Sequence, residues 1–127
     1  DAVLVGVARR LREFCRAEDT VARLGGDEFV MVIPTDDRQL AGARAEAVLA
    51  ALSSPYHYNG RSLVIGVSIG VALAPEHGLD VAALLHKADA ALYAAKQGGK
   101  GRVRFYRKSM RSETVPSELT VLPAAGI

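Results

Sequence analysis

The stretch RLGGDEF, residues 23–29, lies between two apolar runs, TVA at 20–22 and VMVI at 30–33. Two such runs around a short glycine-bearing segment read as a β-hairpin. A plain hairpin needs positive φ only in its turn, and Gly25 with Gly26 can supply that. Asp27 and Glu28 ask for more. Adjacent carboxylates repel, so they weaken the turn unless a cation or a solvated edge takes up the charge. Glycine lets a backbone approach a phosphate closely, and carboxylates are the hard oxygen donors that Mg²⁺ takes alongside water and phosphate oxygens. A solvated acidic turn is the simpler alternative.

Outward from the hairpin, the chain divides cleanly. Leu4, Val7, Ala8, Leu11, Phe14 and Cys15 recur at helical spacing, opposite Arg9, Arg10, Arg12, Glu13 and Arg16. This pattern predicts an amphipathic helix over about 2–17. Strands near 20–24 and 28–33 form the hairpin, which Pro34 closes. Asp36 and Asp37 cap a second helix, about 37–53, with Leu40, Ala43, Ala47, Val48 and Ala51 inward. The run LVIGVSIGVAL, 63–73, predicts one long strand. Its odd positions (Leu63, Ile65, Val67, Ile69, Val71 and Leu73) are large and apolar. Its even positions are mostly small, so another element can lie close against that face. A third helix spans about 80–97, with Val81, Leu84, Leu85, Ala88 and Leu92 inward, and VRFY at 103–106 reads as a short strand. From Ser109 onward there is no period, and two prolines interrupt the run. Residues 1–106 therefore read as one α/β domain, a layered sheet with packed helices and a projecting glycine hairpin, and 107–127 as a linker or disordered tail.

At 127 residues, 50% hydrophobic, the chain is long enough for a real core. Its formal charge of +2 is close to balanced. The pI near 8.9 hints only weakly at phosphate-bearing partners. A single cysteine, Cys15, excludes an internal disulfide framework and suits a reducing compartment. No apolar run approaches the roughly 18 residues of a membrane span, so no membrane contact is expected of this segment. The opening DAVLVGVARRLREFC lacks the features of a signal peptide and reads as the middle of a longer protein.

Lys96 and Lys100 flank Gly98 and Gly99 at the end of the third helix. Cations suit a helix C-terminus in any case, and two ammonium groups there also suit a polyphosphate. His57, His77 and His86 lack metal-ligand spacing with one another or with Cys15, which sits on the apolar helix face. GVSIG lies inside a strand and is no nucleophile elbow. The basic run KGRVRFYRKSMR reads as a solvated edge strand leading out of the domain, with no nucleic acid as partner.

RLGGDEF resembles the signature of the GGDEF family of diguanylate cyclases. VSIGVAL resembles the family's S-I-G strand, and ADAALYAAKQGGK, 88–100, its A-D-x-A-L-Y-x-A-K helix with the basic turn after it. The segments stand in the family's order and spacing over residues 1 to about 106. The resemblance implies a nucleotidyl-cyclase, palm-like fold, truncated at the N-terminus. It implies that two GTP molecules, held by a homodimer of domains with Mg²⁺ (or Mn²⁺), condense into cyclic di-GMP with release of pyrophosphate in bacterial second-messenger signalling. On that pattern Asp27 is metal ligand and general base near the ribose 3′-OH, and Glu28 helps hold the second metal. Asp1 aligns with the guanine-reading aspartate. Gly25 and Gly26 lie along the phosphates, and Lys96 and Lys100 contact them. Lys100 replaces a usual Arg and loses its planar fork. Gly101 replaces a usual Asn. Arg16 and Asp19 have the R-x-x-D spacing of the family's inhibitory product site, while Ala47 stands where some members carry a second arginine for it.

The family's opening segment and its first metal aspartate fall ahead of Asp1. A two-metal site needs carboxylates from both strands to hold ions roughly 3.5–4 Å apart. This segment alone is therefore expected to be inactive, with an open apolar edge between the 62–74 strand and the hairpin. FYRKSMR resembles the exit toward an EAL phosphodiesterase domain. The alternative function is a catalytically silent GTP- or cyclic di-GMP-binding regulatory module, as in a GGDEF-EAL protein. The expected location is cytoplasmic, with a membrane-bound sensor as one form of parent.

Overall fold

A computed structural model describes residues 2–25, 27–99, 101–107, 110 and 120–122. The elements follow one another as α1 (Ala2–Phe14), β1 (Thr20–Gly25), β2 (Glu28–Pro34), α2 (Arg38–Ser53), β3 (Tyr56–Tyr58), β4 (Arg61–Leu63), β5 (Ser68–Ala74), α3 (Val81–Gln97), β6 (Val103–Phe105) and β7 (Thr120–Leu122). Five strands form one sheet in the order β6-β5-β2-β1-β7, and β3 with β4 forms a separate hairpin.

The centre of the sheet is the parallel pairing of β2 with β5, in register from Glu28 against Ser68 to Pro34 against Ala74. Both strands are apolar on both faces, as buried parallel strands are. Phe29, Met31, Ile33, Ile69, Val71 and Leu73 meet α1 and α2 on one side. Val30, Val32 and Ala72 meet Leu84, Leu85, Ala88 and Leu92 of α3 on the other. The open edge expected between these strands is absent, because they pair with each other directly. Buried N–H and C=O groups need partners, and two strands running the same way supply them.

Gly70 is the point of closest approach in this layer. A Cβ there would lie 2.0 Å from the Ala88 carbonyl oxygen and 2.4 Å from the Leu92 nitrogen. The small even positions of the SIGVAL run thus receive α3, as their size implies. Asp80 caps that helix, its carboxylate accepting from Ala83 N–H at 3.2 Å, and Asp37 caps α2 from Leu40 N–H at 3.1 Å.

Four sequence expectations are corrected. Helix α1 stops at Phe14 rather than 17, because Asp19 turns back to accept from Arg16 N–H at 2.9 Å and ends the helical ladder. The buried stripe of α2 is Ala41, Ala45, Val48 and Leu52; Leu40 is half-exposed, Ala43 and Ala47 are exposed, and Ala51 is only partly buried. An alanine-rich helix offers several apolar stripes, and α1 selects one. In α3, Val81 is exposed while the other four inward residues are buried. Finally, 63–73 is not one strand. Asn59 and Gly60, both at positive φ, turn β3 into β4, and the chain starts afresh at Ser68. Within the stretch read as a tail, β7 pairs antiparallel with β1.

Arg10 ties α1 to the end of α2. Its guanidinium donates to the carbonyls of Ala51, Ser54 and Pro55 and lies 3.7 Å over the Tyr56 ring. Carbonyls at a helix C-terminus lack intrahelical donors, so this cation satisfies them.

At the far end of β5, His77 accepts from Leu73 N–H through Nδ1 at 2.8 Å, and its ring stands edge-on to Tyr106. Burial, chiefly, holds its pKa below the ordinary 6.5, with Arg38 and Lys87 acting in the same direction and Glu76 opposing. The folded state therefore keeps the neutral ring, whereas the unfolded chain takes up a proton first as pH falls. The stability this residue contributes is complete above about pH 6.5 and is lost below it, down through the folded pKa. Urea midpoints should fall between pH 7 and 5 in the wild type and fall less in His77→Gln; equal slopes would contradict the assignment.

Gly70→Ala should cost roughly 3 kcal/mol by overpacking against the α3 backbone. Gly66→Ala, where a Cβ meets nothing within 4 Å, should be close to neutral. Denaturant midpoints of the two variants decide the point.

Candidate functional site

The hairpin tip stands at the start of β2, and the turn after α3 stands beside it. Gly25 pairs with Glu28 across the tip, with a register irregularity between Arg23 and Gly25. Gly25 is an extended strand residue, so it does not supply the positive φ expected of it. A Cβ there would meet only the Glu28 carboxylate, at 3.8 Å. Neither backbone conformation nor packing demands glycine at 25, and the missing side chain leaves the tip open to approach. Gly26, with Asp1 and Lys100, lies outside the described residues.

Strand alternation sends the two carboxylates to opposite faces. Asp27 lines a cavity of about 460 Å³ with Val3, Leu4, Val7, Arg23, Ile65 and Gly66. Glu28 points to the α3 side, where its Oε1 accepts from Lys96 Nζ at 2.7 Å. That hydrogen bond is the main reason the Lys96 pKa is raised. Partial burial opposes it, and the charges of Glu28, Asp27 and Asp89 reinforce it. Among the described residues, no three side chains gather as a metal-ligand group. The structure thus places Glu28 with Lys96 and leaves Asp27 on the cavity side.

Ser68 connects these parts. Its N–H donates to the Asp27 carbonyl at 3.0 Å, and its buried Oγ accepts from Gly101 N–H at 3.2 Å. Gly101 has φ +83, a left-handed conformation that Gly and Asn tolerate better than other residues. Glycine in the place of the family's asparagine therefore preserves the backbone of this turn.

Arg16 and Asp19 are brought together through the backbone rather than as two exposed side chains. Arg16 is mostly solvated, 3.9 Å from Glu18. The Asp19 side chain is only 1% exposed, with Oδ1 3.6 Å from Arg44 Nη1. Burial, foremost, raises the Asp19 pKa, while the Arg16 N–H and the Arg44 charge pull it down. Desolvation and the neighbouring Asp19 push the buried Cys15 thiol up to about 12, which makes it an inert core group.

Sequence reasoning missed Arg23 and Arg44. Arg23 shares the parity of Val21, the strand residue that faces α1, and that signal was available. Arg44 has no signal short of the tertiary contact.

Residues 1–102 match the family described as "Diguanylate cyclase, GGDEF domain". The chain is 41% identical over 112 residues to the bifunctional diguanylate cyclase/cyclic di-GMP phosphodiesterase MucR of Pseudomonas aeruginosa, a match covering 88% of this chain and 16% of that protein. It is 42% identical over 106 residues to the diguanylate cyclase TpbB of the same species, covering 82% of this chain and 24% of TpbB. A solved structure comprising only the GGDEF domain of TpbB superposes with a TM-score of 0.70 at 41% identity, over 84% of this chain and 63% of that one. A layered sheet with a carboxylate hairpin beside a basic helix end is the nucleotidyl-cyclase, palm-like class of fold. The chain belongs to the GGDEF family. It spans a quarter or less of the length of these two curated relatives.

Arg44→Ala should destabilise the fold by about 3 kcal/mol, because it strands the buried Asp19 carboxylate without its counter-charge. Asp19→Asn keeps the turn and removes the charge, so in the Arg44→Ala background it should recover part of the loss. A double-mutant cycle by urea denaturation reads the coupling directly, and additive effects would contradict it.

Proposed function

We propose that this chain is the GTP-binding part of a diguanylate cyclase, in which two facing domains condense two GTP molecules into cyclic di-GMP. The observation that carries the reading is Asp27 at the side of the 460 Å³ cavity, with the Lys96–Glu28 pair on the other face of the same hairpin. Val3, Leu4, Val7 and Ile65 give the cavity apolar walls for a purine face, and by the family resemblance Asp1 would read its edge. Gly25 and Gly26 let the phosphates lie along the backbone, and Lys96 with Lys100 balances their charge.

In this reading Asp27 takes the proton from the ribose 3′-OH as that oxygen attacks the α-phosphorus of the GTP on the facing domain, and the bond from that phosphorus to the departing pyrophosphate breaks. Such chemistry depends on positioning and charge neutralisation more than on covalent help from the protein. The carboxylates of Asp27 and Glu28 are the donor type that Mg²⁺ or Mn²⁺ takes, and such an ion would neutralise charge on the phosphates. Glu28, on the opposite face and hydrogen-bonded to Lys96, would have to exchange that ammonium group for the ion to join Asp27. At the product site, Arg16 presents its guanidinium to cyclic di-GMP and Asp19 holds the turn that aims it. The cytoplasm, where GTP is found, is the compartment this function requires. No helix among the described residues is long and apolar enough to cross a membrane.

A second reading is favoured by one contact. Glu28 already has a cation in Lys96, and a module that binds GTP or cyclic di-GMP without turnover needs nothing more. One pair of measurements separates the two. In a longer protein carrying this segment, Asp27→Ala should abolish cyclic di-GMP formation while the melting temperature stays within a few degrees, since the tip is not part of the core. Synthesis surviving within a few-fold would overturn the cyclase reading. Nucleotide binding with no synthesis by the wild type would establish the silent module.

A further inference from the structure

The turn after α3 holds more positive charge than Lys96 and Lys100 account for. Gly98 and Gly99 end the helix, and two guanidiniums occupy the space that side chains would take there. A Cβ at Gly98 would lie 3.1 Å from Arg102 Nη1 and 3.3 Å from Arg104 Nη2. A Cβ at Gly99 would lie 3.1 Å from Arg102 Nη2. Arg102 therefore lies across the glycine turn with both terminal nitrogens against it. Its backbone is fixed as well, since Ile69 N–H donates to the Arg102 carbonyl at 3.0 Å and the preceding Gly101 N–H is held by Ser68.

Arg102 and Arg104 are both partly buried, and among the described residues neither guanidinium has an ion pair or a hydrogen bond. The carboxylate on this face of the hairpin, Glu28, is bonded to Lys96 instead. Helix capping does not account for them, because the Ala94 and Lys96 carbonyls already accept from Gly98 and Gly99 N–H. Withdrawing a cation from water without a partner is unfavourable, so two such groups side by side mark a place where an anion arrives.

We propose that Arg102, with Arg104 beside it, grips the terminal phosphates of the bound nucleoside triphosphate; this rests on the GTP reading above. A guanidinium presents two parallel N–H donors to a phosphate, which an ammonium cannot do. The planar fork that Lys100 cannot offer is thereby supplied two residues further along the chain. Gly99, at φ +103, is called for by its backbone, and the absence of a side chain at Gly98 leaves room for the guanidinium to lie over the turn.

The test is calorimetric titration of the 127-residue chain with GTP and with GMP in the presence of Mg²⁺. In the wild type GTP should bind more tightly than GMP. Arg102→Ala should weaken GTP at least tenfold and leave GMP unchanged, and Arg102→Lys should not restore it. Gly98→Ala asks the guanidiniums to give by only a few tenths of an ångström and its φ −82° and ψ 2° accept alanine, so it should weaken GTP less than Arg102→Ala does. Melting temperatures should stay within a few degrees of wild type, and Arg102→Gln, which keeps the bulk, replaces the alanine variant if its melting point falls. Unchanged GTP affinity in Arg102→Ala, with affinity lost in Lys96→Ala, would overturn the inference and leave the GTP reading standing. Equal loss of GTP and GMP in both Arg102→Ala and Arg102→Gln would make the residue structural and overturn it too. No GTP binding by the wild type would remove the reading and the inference together.

Discussion

Everything at the hairpin depends on the parallel pairing of β2 with β5 beneath α3. Gly70 lets the α3 backbone come down onto that pair, where a single Cβ would stand 2.0 Å from the Ala88 carbonyl oxygen. The register is then fixed by shape. Sliding either strand by one residue would move the large residues that face α1 and α2 to the α3 side. The same register puts Glu28 opposite Ser68, and so brings the start of β2, the start of β5 and the end of α3 to one pole of the sheet. The functional groups sit where three element ends meet, and the core beneath them decides their spacing.

Strand alternation divides the work of adjacent residues. Asp27 follows the side of Phe29 and Met31 and reaches the cavity by α1, while Glu28 follows the side of Val30 and reaches Lys96. Two carboxylates that would repel if they shared one face are thus held apart by the pleat, and the fold meets no penalty large enough to bar them from the tip. The arrangement also gives the site two chemically distinct faces. One has a cavity with apolar walls that Asp27 and Arg23 also line, and the other a carboxylate, an ammonium group and two guanidiniums around a glycine turn. A nucleotide has that same division, an apolar base face at one end and a polyanion at the other.

Much of this was legible in the sequence because the signals were physical ones with a fixed period. The alternation on either side of RLGGDEF gave β1 and β2, and the small even positions of the SIGVAL run announced the approach of α3. Asp80 and the leucines after it gave α3 itself. What was not legible has equally specific causes. Helix α2 is rich in alanine, so its buried stripe of Ala41, Ala45, Val48 and Leu52 is no more apolar than its neighbours, and only packing against α1 chooses it. Asn59-Gly60 is a strong hairpin signal for β3 and β4, but the break between Leu63 and Ser68 falls inside a continuous apolar run that reads as one strand. Asp19 reads as a surface acid beside Arg16, and only the tertiary contact with Arg44 shows that it is buried.

The two poles of the sheet differ in how completely their polar groups are satisfied, and that difference separates structure from function. At the His77 pole, the imidazole accepts from Leu73, Arg38 pairs with Glu76, and Lys87 donates to the His77 carbonyl. Each of these groups has a partner, and the cluster closes the end of β5. At the hairpin pole, Gly25 leaves space that nothing in the fold requires, and Arg102 and Arg104 are half-withdrawn from water with no acid paired to them among the described residues. A fold optimised only for stability would fill that space and pair those cations. Their persistence at one pole, against the paired groups of the other, is what a surface shaped to receive a polyanion should look like.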